Sequence, residues 1–432
     1  MDVAIVGGGW AGLSCAIEAT KRGHQVTLFE AARHLGGRAR AVPGPADDGL
    51  PVKLDNGQHI LIGAYQETLA MLQTVGLNER DVLRRSALAL KFPDQTGLQL
   101  GSWPSPFDAV AGILAARGWT WRDKFSLLRV TLGWQLSGFT CAATTSVAQL
   151  CAGLNERVVK DMIVPLCVSA LNTPAARASG QVFLRVLKDS LFGGRGSSNL
   201  LLPLTDLSSL FPDAAGQWLR HQGATLKLAH RVRAIVAPGG AKPWQVDGSF
   251  FDRVVVALDS ANAANLVNSI AIAGLGDSSG LKQWLDRANA IQYEAITTVY
   301  ARVQQTNMRW PMMALKSDEA ANPAQFVFDR GQLGGPAGLL AFVVSASAMD
   351  RLACQALVVQ QAQHQLGLVI KPLQTIVEKR ATFACTPDLK RPSMQITAGL
   401  RACGDYIEGP YPATLEGAVR SGIHAARALP AP

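Results

Sequence analysis

The chain opens on an apolar run, Val3 to Val6, with no polar position in it, which predicts a strand buried on both faces. Small and apolar residues at helical spacing then predict a helix from about Ala11 to Lys21, ended by Gly23. Gln25 to Phe29 predict a second strand, closed by Glu30. A Pro/Gly/Asp stretch from Val42 to Pro51 predicts a loop, and Val52 to Leu54 a short strand opening into Asp55-Asn56-Gly57-Gln58-His59. A helix over Gln66 to Val75 and mixed strand signals to Trp103 follow. From Phe107 to Leu191 the pattern is mainly helical. Apolar residues recur three and four apart through Phe125, Leu128 and Leu132, and again through Val158, Met162 and Leu166.

Beyond that insertion, a helix through Leu219 leads to strands at Thr225 to Leu228, Val232 to Ile235 and Phe251 to Leu258. Strands are predicted at Ile296 to Val303, Phe326 to Phe328 and Leu339 to Val344, with a helix from Met349 to Leu366. A short strand from Leu400 ends in Gly404-Asp405, and Thr414 opens a helix from Leu415. No internal repeat or low-complexity tract interrupts this order.

The first thirty residues carry the chemistry. Gly7, Gly9 and Gly12 stand in G-x-G-x-x-G spacing between the first strand and its helix. Gly7 permits the tight turn, Gly9 lets backbone approach a pyrophosphate, and Gly12 lets helix pack on strand. The helix start at about Ala11, just past Trp10 of the glycine loop, aims free N–H groups and a positive dipole end at the phosphates. Glu30 sits where an acid accepts hydrogen bonds from the adenosine ribose. Past it, Gly37 and Arg38 would close backbone and a guanidinium over the pyrophosphate.

Composition narrows the class. A chain of 432 residues with 48% hydrophobic and 17% charged residues suggests two or three domains with ample core. Its seven cysteines show neither C-x-x-C nor metal-ligand spacing, which points to reduced thiols, and no His or Cys pair argues for a metal. No signal peptide is expected before the first strand, and no apolar run approaches the ~18 residues of a membrane span. The net charge of +9 comes without a recognition helix or basic–aromatic array, so nucleic acid is not an expected partner. An anionic membrane surface or a phosphate-rich cofactor accounts for the excess equally well. The Trp119/Trp121 segment, with Arg122 and Lys124, mixes aromatics and cations as a membrane interface does, although an amphipathic helix packed on the core would look the same.

G-x-G-x-x-G, a strand ending in Glu, GGR and then D-x-G together resemble the FAD-dependent amine oxidase and phytoene desaturase superfamily. Asp55-Asn56-Gly57-Gln58-His59, with Trp10 inside the glycine loop, is most similar to its squalene-associated branch, the hydroxysqualene dehydroxylases. The resemblance implies FAD as cofactor. It places Gly57 and Gln58 beside the isoalloxazine ring and pairs the backbone of Val232 with adenine. It sets Asp405 on the ribityl chain and points the helix start at Thr414 and Leu415 toward the N1–C2=O edge. His59 is then the titratable residue nearest the ring, read either as a proton-transfer group or as a loop histidine that shapes the pocket.

The expected fold is α/β, a discontinuous Rossmann-like FAD-binding domain with a mixed-sheet and helical substrate domain. The first comprises residues 1–83, 204–272 and 396–432, the second residues 84–203 and 273–395. The expected function is reductive dehydroxylation of hydroxysqualene to squalene in triterpene or hopanoid synthesis, in the cytoplasm or on the inner face of the membrane. The partners would be an isoprenoid hydrocarbon or alcohol and an upstream terpene synthase. Two other readings stay open: a carotenoid or phytoene-type desaturase or isomerase, and a non-catalytic FAD-binding scaffold for terpene synthases.

Overall fold

Side chains of β1 (Asp2–Val6) alternate between two covered faces: Ala4 and Val6 enter one apolar core, Val3 and Ile5 another. That is why the run has no polar position. The structure, a computed structural model, describes residues 1–47, 50–101, 103, 107–237, 243–269, 278–318 and 320–431. After β1 come α1 (Trp10–Lys21) and β2 (Gln25–Phe29), and β2 pairs parallel with β1 from Asp2–Gln25 to Val6–Phe29. The stretch from Val42, expected as a loop, is instead a hairpin of Ala41–Asp47 and Leu50–Asp55. Its register slips between Pro43 and Ala46, which a two-stranded ribbon tolerates because each strand keeps an open edge for prolines that cannot donate.

The helical insertion contains α2 (Phe107–Ala115) and α3 (Trp121–Leu136), followed by helices at Val164–Leu171 and Gly180–Leu191. Thr120 caps α3 in a reciprocal box: its Oγ1 accepts from Asp123 N, and the Asp123 carboxylate accepts from Thr120 N at 2.8 Å. The Phe125/Leu132 stripe does form one helix face, but that face points outward. Leu127 and Trp134 supply the packed side, while Phe125 is 70% exposed. Trp119, expected with Trp121 at a membrane face, is buried, and its Nε1 donates to Asp161 at 3.2 Å. Trp121 is 74% exposed. The two tryptophans fall on opposite sides of the α3 start because the capping loop turns the chain between them.

β3 (Thr225–Lys227) then pairs parallel with β2, and β4 (Arg253–Val256) parallel with β1. The strand expected over Val232 to Ile235 shrinks to Ile235–Val236. The Asp247 carboxylate takes the N–H groups of Arg233 and Ala234, each at 3.0 Å, so that stretch is held by a side chain rather than by a ladder.

Residues 293–383 build a five-stranded antiparallel sheet in the order Met312–Ala314, Phe326–Asp329, Leu339–Ser345, Tyr293–Arg302, Lys371–Phe383. Its period of two divides it cleanly. Val299, Ala301, Val327, Phe342 and Val344 share a core with Cys354, Val358 and Ala362 of the Arg351–Leu366 helix, while Tyr300, Phe326, Phe328 and Val343 face the other way.

The chain returns through β5 (Gln395–Thr397) and β6 (Leu400–Ala402), completing a six-stranded sheet ordered β3-β2-β1-β4-β6-β5. Only β5 runs antiparallel. The final helix, α4 (Leu415–Arg427), crosses α1 at Gly422, where an added Cβ would lie 2.1 Å from the Ala11 carbonyl oxygen. This close crossing brings the N-termini of α1 and α4 to one cleft.

Candidate active site

The cleft, of about 710 Å³, opens beyond the carboxyl ends of β1, β2 and β4, where an open parallel sheet offers its binding crevice. Of the fifteen candidate residues, all but Gly12 line it. Gly12 serves from behind: a Cβ there would sit 1.9 Å from the Gly7 carbonyl oxygen, so the helix can approach the strand only as glycine. Gly7 has φ +116°, and its Cβ would meet the Ala257 carbonyl at 2.4 Å.

The start of α1 is dressed for an anion. Gly9, its N-cap, makes no side-chain cap hydrogen bond, and no acid stands in the first turn. The leading N–H groups therefore look into the cleft without a protein counter-charge. Gly9 and Gly37 face each other, a Cβ on Gly37 falling 3.2 Å from the Gly9 Cα. Such a cradle of bare backbone fits a pyrophosphate. Trp10 lines the cleft edge, but its Nε1 donates to Ala39 O at 3.0 Å and its ring packs on Phe211 at 4.8 Å, so it also braces the Gly36–Arg40 turn. Glu30 accepts from Gly8 N and Ala32 N, both at 2.7 Å, which fixes its carboxylate at the mouth where a ribose would lie. Val232 lines the same end.

Arg38 lines the cleft beside Gly37, and its guanidinium is held by protein partners. Its guanidinium donates to Asp405 Oδ1 at 2.6 Å and to Ala381 O at 3.1 Å. Burial, the largest single influence, opposes the charge, but Asp405, Tyr293 and Asp259 together outweigh it and raise the proton affinity of the guanidinium further. Arg38 thus bolts the Gly37 turn to the turn that follows β6 and to the mixed sheet.

The Asp55–His59 loop occupies the other end. Asp55 is buried; its Oδ1 accepts from Leu207 N at 2.8 Å, and Tyr300 Oη donates to its carbonyl at 3.0 Å. Burial pushes its carboxyl up to about 6, against the pull of the Leu207 N–H and of Arg330, whose guanidinium lies 3.9 Å away. Arg330 also reaches Gln58 Oε1 at 3.5 Å. His59 Nδ1 lies 2.8 Å from Gly57 O, the arrangement of an N–H donor at Nδ1. Burial lowers the proton affinity of His59 and nearby Arg38 lowers it further, while the Gly57 carbonyl opposes both. The imidazole is therefore neutral at physiological pH, with Nε2 an acceptor.

At the start of α4, Thr414 Oγ1 accepts from Gly417 N at 3.0 Å and donates to Tyr411 O at 2.7 Å. The N–H groups of Leu415 and Glu416 precede that capped position. Tyr411 and Ala413, both at φ +58°, shape the approach, a left-handed backbone that non-glycine residues hold only under constraint.

Behind this end lies a second cavity of about 160 Å³, walled by Leu88, Leu90, Ile113, Leu127, Trp134 and Phe183 among other apolar side chains. Six residues line both spaces: Ile60, Tyr65, Ser169, Ala170, Phe326 and Thr414. They form a throat. Sequence reasoning missed Tyr65, Arg330 and Phe326. No motif surrounds them, and only the meeting of distant segments gives them a place. Among the described residues, no helix is long and apolar enough to cross a membrane.

Known proteins agree with this architecture. Residues 10–430 match the family described as flavin containing amine oxidoreductase. A hydroxysqualene dehydroxylase from Zymomonas mobilis is 24% identical over 449 residues, covering 98% of this chain and 97% of that one. A 15-cis-phytoene desaturase from Synechococcus elongatus is 30% identical over 129 residues, 29% of this chain and 26% of the desaturase. The solved cyclohexylamine oxidase of Brevibacterium oxydans superposes with a TM-score of 0.71 at 14% identity, over 99% of this chain and 98% of that one. The chain belongs to the flavin containing amine oxidoreductase family and is an FAD-dependent oxidoreductase.

Proposed function

We propose that the protein reductively removes the hydroxyl of hydroxysqualene to give squalene, on a route to triterpenes of the hopanoid kind, with a terpene synthase upstream supplying the alcohol. The observation that carries this reading is the apolar cavity joined to the cofactor cleft by a throat bearing hydroxyls, a shape suited to a long hydrocarbon with one polar function. The dehydroxylase name of a relative aligned along nearly the whole chain supports the same substrate.

In this reading Gly7, Gly9, Trp10, Ala11 and Gly37 hold the pyrophosphate, with Gly12 closing α1 onto β1. Glu30 holds the ribose, and Val232 offers backbone to adenine. Asp405, oriented by Arg38, binds the ribityl chain. Gly57 and Gln58 lie along the ring, and the α4 start at Thr414 and Leu415 faces its pyrimidine edge, where a helix N-terminus favours negative charge. FAD, when bound and reduced, supplies two electrons and a hydrogen to the carbon that loses its hydroxyl. The protein's part is to orient that carbon and keep water from it. His59, neutral and with its Nδ1 turned to Gly57, accepts a hydrogen bond rather than giving a proton. Residues 1–83, 204–272 and 396–432 serve as the cofactor domain, and residues 84–203 and 273–395 serve the substrate.

Access runs from a lipid surface. Ala109, Ile113, Leu127 and Trp134 line the second cavity from inside α2 and α3, and the outer sides of those helices carry exposed Phe107, Leu114, Trp121, Phe125, Leu132 and Leu136. Arg122 and Lys124 lie beside them, and Lys124 Nζ sits 5.1 Å over the Trp121 ring. The test of function is anaerobic incubation of the reduced holoenzyme with hydroxysqualene, phytoene and squalene, products being read by mass. Squalene from hydroxysqualene alone is expected. Desaturation of phytoene by the oxidised enzyme would replace the reading with the one the cyanobacterial relative favours. A bound flavin that turns over none of them would leave a scaffold.

A further inference from the structure

The throat between the two cavities presents three hydroxyl groups, on Tyr65, Ser169 and Thr414, among three apolar neighbours. Two of them are engaged with backbone. Thr414 gives its proton to Tyr411 O and takes one from Gly417 N. Ser169 donates to Leu166 O at 3.1 Å, one turn back in its own helix. Tyr65 stands at the N-cap of the Gln66–Thr74 helix with its ring edge-on to Tyr411 at 6.1 Å, and its hydroxyl has a side-chain partner, the Thr414 hydroxyl, rather than a backbone one. It therefore places a phenol where a substrate's polar end would pass from the hydrocarbon cavity into the cofactor cleft. His59 lines only the cofactor cleft and carries no spare proton.

Resting on the dehydroxylation reading, we propose that Tyr65 recognises the substrate hydroxyl and is the acid that protonates it as it leaves. The step balances as follows. The allylic C–O bond breaks, and its electron pair leaves with oxygen, which takes the Tyr65 proton and departs as water. The carbon takes a hydride from the reduced flavin, forming the C–H bond and leaving the flavin oxidised. The resulting phenolate regains a proton from solvent, so alcohol, reduced flavin and proton become hydrocarbon, oxidised flavin and water. Burial, with the charge of Glu416 adding to it, raises the proton affinity of Tyr65 and keeps it protonated at neutral pH. A phenol so weakened can still protonate a leaving hydroxide, because the acid formed, water, has a pKa of about 15.7. The throat thus separates roles by environment: the histidine neutral and accepting, the tyrosine protonated and donating.

The test is Tyr65→Phe, which keeps the ring and its packing, studied as FAD-loaded holoenzyme. The first readout needs no turnover. Hydroxysqualene and squalene in detergent micelles are titrated into oxidised enzyme, and binding is followed by perturbation of the flavin absorbance. Wild type should prefer the alcohol by roughly 3- to 10-fold, the scale of one net hydrogen bond, and the variant should lose that preference. The second readout is the rate at which hydroxysqualene reoxidises the reduced flavin in a single anaerobic turnover. It should fall by roughly 10²- to 10⁴-fold, as when a general acid is removed. A variant that keeps both the alcohol preference and the reoxidation rate within about twofold of wild type overturns the role of Tyr65 and leaves dehydroxylation standing. Wild-type enzyme that neither prefers the alcohol nor is reoxidised by it overturns the substrate reading and this assignment with it.

Discussion

At the scale of single residues, the legible ones were those whose reason is local. Gly7 and Gly12 are glycines because a Cβ would strike backbone a few residues away or on the adjoining strand, and that requirement is written in spacing. Arg38 was legible as a charge beside the Gly36-Gly37 turn but not as the partner of Asp405, since nothing at either position announces the other. Asp55 stood in the sequence only as the first residue of a glycine loop, and the structure shows a buried carboxyl. For Glu30→Gln, FAD affinity should fall about 10- to 150-fold, the scale of a charge-assisted hydrogen bond of ~1.5–3 kcal/mol. Quenching of FAD fluorescence on titration into apoprotein measures it; an unchanged affinity would make Glu30 a clasp for Gly8 and Ala32 only. Asp55 gives a pH signature of unusual sign. Its carboxyl sits at about 6 in the folded protein against 3.8 ordinarily, so its contribution to stability is fully present below 3.8 and is lost as pH rises through about 6. The loss is about 3 kcal/mol. Asp55→Asn keeps the acceptor for Leu207 N and does not titrate there. Its stability relative to wild type should therefore climb between about pH 4 and pH 7 in urea unfolding of the apoprotein. A difference flat with pH would refute the buried carboxyl.

Among elements, periodicity located helices and strands well and their orientation poorly. The spacing in α3 is that of a helix with an apolar side, but hydrophobic period cannot say whether that side meets a core or a bilayer. The buried side, Leu127 and Trp134, shows only that the Phe125/Leu132 side does not meet the core. The Ala41–Asp55 hairpin escaped because prolines read as loop unless a ribbon edge is available to hold them. Two expectations belong here. Trp121→Ser/Phe125→Ser should abolish cosedimentation with anionic liposomes, and wild-type binding should weaken from 0.1 to 1 M salt as the Debye length falls from ~10 to ~3 Å. Trp119→Ala should instead destabilise the fold by ~3–5 kcal/mol and leave liposome binding of the folded fraction intact. Binding by the double variant equal to wild type would move the lipid-facing surface off α2 and α3. The crossing of α4 on α1 gives the second. Gly422→Ala meets rigid backbone, the Ala11 carbonyl and Cys15 N, so it should lower stability by ~1–3 kcal/mol and weaken FAD binding by prising the two helix starts apart. An unaltered melting temperature and FAD affinity would mean the crossing can slide.

Over the whole molecule, the fold class was legible because one short unit, β1-α1-β2 with its glycines, identifies a dinucleotide sheet before any long-range contact is known. The path by which α2 and α3 wall the second cavity was not, because no spacing encodes how an insertion packs on a domain it leaves and rejoins. FAD should co-purify and colour the protein yellow, and at a free FAD concentration of 100 times Kd it should add ~2.7 kcal/mol to stability. A colourless protein that neither takes up added FAD nor gains stability from it would defeat the cofactor assignment. The sheet order β3-β2-β1-β4-β6-β5 carries a consequence for biosynthesis. β1 gains its second neighbour only at residue 253, and the sheet is complete only at residue 402. At about 5–20 residues per second, a ribosome needs roughly 20 s or more between making the first strand and the last. Throughout that interval the nascent chain displays an unpaired apolar ribbon beside an anion cradle with no α4 to close it. Flavin capture is therefore a late event, and a stalled or truncated transcript should yield a colourless, chaperone-bound polypeptide rather than a partly loaded enzyme.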